Sequence, residues 1–289
     1  MPHSATRLLS GLVLLLLCIG LADAREVSAS ASSWQRQVAA ISAGHDTAGR
    51  AAAITARLRQ MGLSWRAEPF SHEGQSGINL VADVGGPADA PLLLIGAHYD
   101  RVAVGHGATD NASGVAAVLE LAQALQARPL ARHRVQVVFW DLEEMGLLGS
   151  LAWVATPDRE RPALYVNFDV YGWGDTLWMM TPQADDPLAA ALRPLAQAQG
   201  LQLVAGLRYP PTDHLAFQKA GWPAVSFSRV DGGEIEGILQ VFTGQVPATP
   251  PKVMEVIHSP RDTVVELETT NLSASLIALE QALRQWDAR

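Results

Sequence analysis

Three short apolar runs each end in a cluster of ionisable residues, and that pairing narrows what the chain can become. Residues 92–98 run from Leu92 into His98-Tyr99-Asp100. Residues 135–140 run into Asp141-Leu142-Glu143-Glu144, and residues 164–168 run into Asp169. Continuous apolar runs of this length suit strands buried on both faces. Further strands are expected over 78–84 and 224–228, and the spacing predicts helices over 34–41, 46–61, 115–127, 187–199 and 269–286. Asp46 reads as an N-cap and Gly62 as a stop. Strands alternating with helices point to a layered α/β fold with a largely parallel sheet covered on both sides. There is no internal repeat and no domain-splitting linker. The stretch 230–252, bracketed by Asp231-Gly232-Gly233 and Pro247 to Pro251, reads as a long surface loop near the site. In sheets of this kind ligands gather beyond the carboxyl ends of the strands, where the ionisable clusters fall.

Composition removes several function classes. Of the 289 residues, 48% are hydrophobic and 17% charged, a balance that supports a packed core over a disordered chain. The net charge of −8 and the lack of a basic patch argue against a nucleic-acid partner. The single cysteine, Cys18, permits no intrachain disulfide. It also falls in a segment that reads as a secretory signal over residues 1–24: Arg7, an apolar run over 8–22, then Ala22-Asp23-Ala24. That run is shorter than the roughly 20 residues a spanning helix needs, so no stable membrane anchor is expected. Leu17 before Cys18 argues against a lipoprotein. The expected product is an exported domain of residues 25–289, periplasmic or extracellular, whose net charge is unchanged because Arg7 and Asp23 leave together. Nothing in the sequence sets an oligomeric state.

His98, Asp110, Glu144, Asp169 and His258 form a candidate dinuclear metal set. Two imidazoles and three carboxylates suit borderline divalent ions such as zinc. Asp110 is the candidate bridge, since it opens the loop Asp110-Asn111-Ala112-Ser113-Gly114 that leads into a helix. Glu143 and Glu144 point different ways, so one is expected to bind metal while the other reaches a bound water as general base. A divalent ion lowers the pKa of such a water to about 7. Asp100, two residues past His98, is placed to accept the imidazole's other N–H. Each signal has an ordinary alternative: a histidine satisfied at a strand end, an Asx turn capping a helix, a solvated acidic pair.

Five segments in order resemble the M28 family of zinc aminopeptidases, in particular the bacterial leucyl aminopeptidases. They are Gly96 to Asp100, Gly107 to Gly114, Asp141 to Ser150, Asn167-Phe168-Asp169 and Ile257 to Thr263. The resemblance implies a single domain with a mixed, mostly parallel sheet between helices. It implies two zinc ions bridged by Asp110, one also held by His98 and Asp169, the other by Glu144 and His258. Glu143 matches the family's general base and Asp100 its partner for His98. The Asp213-His214 block matches as well, and Tyr209 falls where relatives carry a tyrosine that donates to the tetrahedral oxyanion. The chain departs at Asp169-Val170-Tyr171-Gly172, where many members read Asp-Met-Ile-Gly, and 230–252 carries no family motif.

The expected activity is removal of N-terminal residues from peptides with a free N-terminus. Related folds include glutaminyl cyclases, which bind one zinc and place tryptophan before the last metal histidine, where this chain has Ile257. They also include carboxypeptidases, which need cations for a terminal carboxylate; Arg208, Arg229 and Arg261 are available. A non-catalytic binding module predicts missing ligands, and all are present. No Gly-x-Ser-x-Gly elbow exists, and His72-Glu73 is followed by Ser76 where a single-zinc helix motif needs histidine. Trp173, Trp178, Met179 and Met180 are candidates for an apolar pocket or for core.

Overall fold

The computed structural model describes residues 33–289. The expected leader, its cleavage site and Cys18 lie outside the described residues. Helix α1 (33–42) and helix α2 (Thr47–Gln60) come first, and the Asp46 side chain caps α2 by accepting from the Gly49 N–H. Strands β1 (Ser64–His72), β2 (Gln75–Gly85) and β3 (Leu92–His98) follow, then α3 (Ser113–Ala127), β4 (Arg134–Trp140) and α4 (Leu148–Ala155). The chain continues through β5 (Leu164–Tyr171), β6 (Thr176–Met180), α5 (Pro187–Ala198), β7 (Gln202–Gly206), α6 (His214–Lys219) and β8 (Ala224–Val230). It closes with α7 (Ile235–Phe242), α8 (Lys252–Val256) and α9 (Leu272–Asp287). Among the described residues no helix is long and apolar enough to cross a membrane.

The strands form one mixed sheet in the order β1-β2-β4-β3-β5-β8-β6-β7. The central four, β4, β3, β5 and β8, pair in parallel, while β1, β2 and β6 join antiparallel. β3 shows why a continuous apolar run belongs at the centre. Leu93, Ile95 and Ala97 enter the core under α3, α5 and α9, while Leu92 and Leu94 pack on the other face with Trp153 and Phe217 of α4 and α6. Both faces of β3 are therefore dry, and its only polar side chain, His98, falls at the strand's end.

Three expectations need correction. β1, β6 and β7 were not anticipated. β1 alternates exposed and half-buried positions at the sheet edge, and β6 and β7 have only five residues each. Asp169 lies inside β5, not beyond it, because the strand resumes after an irregularity between Phe168 and Tyr171. The 230–252 stretch is not a plain loop. It carries α7, whose Ile235, Ile238 and Leu239 bury one helical face in a cluster with Trp173, Trp178 and Val256. His133 is half-buried, places Nδ1 2.9 Å from Asp287 and packs on Trp286.

Candidate metal centre

Parallel pairing aligns His98 with Trp140, so the segments after β3 and β4 leave the sheet side by side. His98 ends β3 with its ring buried. Its Nδ1 lies 3.2 Å from Asp100 Oδ1, which leaves Nε2 facing the site. Asp100 also accepts from the backbone N–H groups of Glu143 at 3.1 Å and Glu144 at 3.2 Å. One carboxylate thus orients the histidine and anchors the acidic pair.

Asp110 sits in the kinked turn Ala108–Ala112, and the Asp110–Asn111 peptide is cis. Asn111 ties this turn to β5: its amide donates to Phe168 O, and its Oδ1 accepts from the Gly114 and Val170 N–H groups. A side chain at Gly114 would lie 2.3 Å from Asn111 Oδ1 and 2.7 Å from Phe168 O, so only glycine fits there. The Asp-Asn-x-Ser-Gly spacing therefore encodes a joint between the turn and the neighbouring strand. The other side of the turn is held by Asp262, which accepts from the Thr109 N–H at 2.6 Å and the Asp110 N–H at 3.2 Å. Asp262 follows His258 by four residues, so it couples the His258 loop to the Asp110 turn.

The outcome is two donor groups sharing Asp110: His98, Asp110 and Asp169, and Asp110, Glu144 and His258. Asp110 Oδ1 lies 3.1 Å from His98 Nε2, and Oδ2 lies 3.2 Å from His258 Nε2. Asp169 Oδ1 is 3.6 Å from His98 Nε2, and Glu144 Oε2 is 3.0 Å from His258 Nε2. A tetrahedral ion with bonds of about 2.0–2.1 Å separates its ligand atoms by roughly 3.3 Å, close to these distances. Glu144 Oε1 is buried without a hydrogen-bond partner. A cation would answer that orphan, so the residues present fit two divalent ions.

The electrostatics agree. Burial alone lowers the His98 pKa, but Glu143, Asp100, Asp110 and Asp169 together hold it well above the ordinary value. His258 is pushed up to about 10 by its contacts with Asp110 and Glu144, against some desolvation. Burial favours the neutral acid at Asp110, yet the two histidines hold its carboxyl well below the usual range. Glu143 is pushed well up, first by burial and then by Asp169, Asp213 and Asp110, against the pull of His98. A site that draws protons onto its imidazoles in this way is short of positive charge. Glu143 Oε2 reaches to 3.9 Å from His98 Nε2 and belongs to neither donor group.

Tyr209 lines the same cavity as Asp110, Glu143, Glu144 and Asp169. Its hydroxyl meets Ser228 Oγ, which donates to the Asp169 carbonyl. A serine hydroxyl carries one proton and a carbonyl only accepts, so Tyr209 is the donor to Ser228. Trp178 also lines the cavity; Trp173, Met179 and Met180 are core. Sequence reading assigned no role to Arg50, Asn111, Ser228 or Asp262. For Asn111 and Asp262 a signal existed, since both fall inside recognised segments.

Residues 79–281 match the profile of Peptidase family M28. The chain is 32% identical over 196 residues to leupeptin-inactivating enzyme 1 of Streptomyces exfoliatus, covering 62% of this chain and 42% of that protein. It is 42% identical over 95 residues to a probable lipoprotein aminopeptidase of Mycobacterium tuberculosis, covering 32% and 19%. The chain thus spans less than half the length of these curated relatives. Among solved structures, the LapA aminopeptidase of Legionella pneumophila superposes with a TM-score of 0.69 at 19% identity, covering 90% of this chain and 73% of that one. A glutaminyl cyclase of Porphyromonas gingivalis superposes at 0.71 with 20% identity, covering 89% and 98%. Both show the shared fold. With a family match that takes in the donor groups and most of the sheet, this chain belongs to Peptidase family M28.

Proposed function

We propose that the chain is an exported aminopeptidase that holds two zinc ions and releases apolar N-terminal residues from peptides. The observation that carries this reading is Asp110, whose two oxygens face two different histidines, each completed by a further carboxylate. Zinc bound there would supply a nucleophilic water at neutral pH and polarise the scissile carbonyl. Glu143, kept off the donor groups and raised by burial, takes the water's proton and passes it to the leaving amine. Asp100 holds His98 in one tautomer and keeps Glu143 and Glu144 in place. Tyr209 donates to the developing oxyanion after its hydroxyl turns from Ser228.

The cavity beside the donors supports the choice of substrate. Its volume is ≈ 150 Å³, and Val170, Trp178, Ile238, Phe242 and Met254 contribute to its walls. An apolar cavity of about that size admits a benzene ring. The lining contains four carboxylates and no arginine or lysine, which favours a free ammonium over a terminal carboxylate. The three arginines a carboxypeptidase could recruit are engaged elsewhere. Arg229 is buried and donates to the carbonyls of Gly172, Gly174, Glu268 and Thr270; Arg208 pairs with Glu236; Arg261 pairs with Glu255 and Glu266.

The test is mass spectrometry of a peptide mixture with free, blocked and glutamine N-termini, with and without a chelator. Chelator-sensitive, stepwise loss of N-terminal residues from unblocked peptides is expected. Loss of ammonia from glutamine peptides alone would replace this reading with a cyclase. C-terminal trimming would replace it with a carboxypeptidase, and an unchanged mixture from metal-loaded protein with a binding module.

A further inference from the structure

Arg50 lies on α2, outside every recognised segment, yet its side chain ends on the backbone that leaves β3 and enters the Asp110 turn. It is fully buried, and among the described residues it pairs with no carboxylate. All of its polar contacts are to backbone carbonyls. Nε donates to Tyr99 O, Nη1 to His106 O at 3.1 Å, and both Nη1 and Nη2 to Gly107 O at 3.2 Å. Tyr99 stands between His98 and Asp100, and Gly107 opens the turn that carries Asp110. Gly107 has φ +58, and a Cβ there would lie 2.7 Å from the Asp110 carbonyl oxygen and 2.9 Å from both Arg101 Cβ and Arg50 Nη1, so the turn closes too tightly against the guanidinium for any side chain. Burial lowers the Arg50 pKa only to about 10, leaving it charged at neutral pH, with Asp100, Asp110 and Asp262 near enough to favour that charge.

We propose that Arg50 is a positioning residue for the metal centre: its guanidinium fork spans the end of β3 and the Asp110 turn and sets the distance between the His98 and Asp110 donors. This rests on the two-zinc reading above. A planar fork with five N–H donors can hold three carbonyls in a fixed arrangement; the single ammonium of a lysine cannot. The alternative role, a charge that offsets the surrounding acids, makes the opposite prediction. A cation beside the site repels zinc, so removing the charge alone would tighten metal binding.

Two substitutions separate these roles, Arg50→Lys, which keeps the charge, and Arg50→Gln, which removes it. Zinc affinity and stoichiometry of the metal-free full-length protein would be measured by competition with a chromophoric chelator. The visible spectrum of the cobalt-substituted protein would be recorded beside it, since it reports ligand geometry directly. The unaltered protein is expected to bind two equivalents. Both variants are expected to bind zinc about 10- to 100-fold more weakly, as for other groups that orient metal ligands, and to show altered cobalt spectra. Unchanged affinity in folded Arg50→Lys, or tighter binding in Arg50→Gln, overturns the proposal while leaving the metal centre standing. If Arg50→Gln does not fold, Arg50→Lys decides alone. An unaltered protein that binds no zinc overturns the metal centre, and the role of Arg50 with it.

Discussion

Replacing Ile238 by tryptophan is expected to erase a preference for leucine over alanine at the substrate's N-terminus. Ile238 is 3% exposed and projects from α7 into the cavity beside the donor groups. A leucine side chain offers three more carbons than alanine for burial in that cavity. At about 0.8 kcal/mol per buried carbon this is about 2.4 kcal/mol, or about a 60-fold difference in kcat/KM, if the side chain is fully enclosed in the transition state. An indole at position 238 extends into the ≈ 150 Å³ cavity where the leucine would sit, so the ratio should fall below about 5-fold, mostly by loss of the leucine rate. Overpacking the cluster of Trp173, Trp178 and Val256 should cost about 1–3 kcal/mol of stability, which a melting curve would register. The assay is kcat/KM for leucine and alanine p-nitroanilides on both proteins, with circular dichroism to show that the variant is folded. A leucine-to-alanine ratio near one in the unaltered enzyme would refute the cavity as the binding site for the first residue. A ratio unchanged in a folded Ile238→Trp variant would refute the wall assigned to α7.

Glu143→Ala is expected to lower kcat by about 10²- to 10⁴-fold, while the zinc content of the dialysed protein, read by atomic emission, stays at two equivalents. Asp110→Ala removes the carboxylate common to both donor groups, so the same measurement should show metal lost along with activity. Asp287→Asn tests an acid-sensitive clamp on the far side of the fold. Burial would raise the Asp287 pKa, but His133 and the Ala131 and Arg132 N–H groups together hold it below the usual value. A carboxylate depressed in the folded state stabilises it above the unfolded pKa and loses that contribution as pH falls through the folded one. The variant should therefore melt lower than the unaltered protein at pH 7, by an amount equivalent to about 1–3 kcal/mol, and the gap should close toward pH 3. A gap independent of pH would refute the charged clamp.

Much of the central sheet is legible in the amino-acid sequence. The run 92–98 is strand β3 residue for residue, and 115–127 lies within α3, because each buries its own apolar pattern and declares itself locally. The α2 cap at Asp46 was legible for the same reason, since a cap acts within one turn. The edge and flank elements were not. Half of β1 faces solvent, and β6 and β7 are too short to show a period, so their pairing partners make them strands. Helix α7 went unrecognised because turn residues bracket it and its apolar face only makes sense against Trp173 and Val256.

The residues proposed to hold metal were named from their segments, and the fold brings His98 and Asp169 to one side of Asp110 and Glu144 and His258 to the other. The sequence by itself determined which donors and acids the chain possesses, and that His98, Glu143, Glu144 and Asp169 stand at or near the ends of buried strands. Only the tertiary structure decided how those ends are spaced. Asp262 reaches across 152 residues to the Asp110 N–H, and Arg50 reaches across 57 to the Gly107 carbonyl. A strand or a helix turn is encoded by the periodicity of its own neighbours, whereas a hydrogen bond between remote loops exists only once the sheet has brought their backbones together.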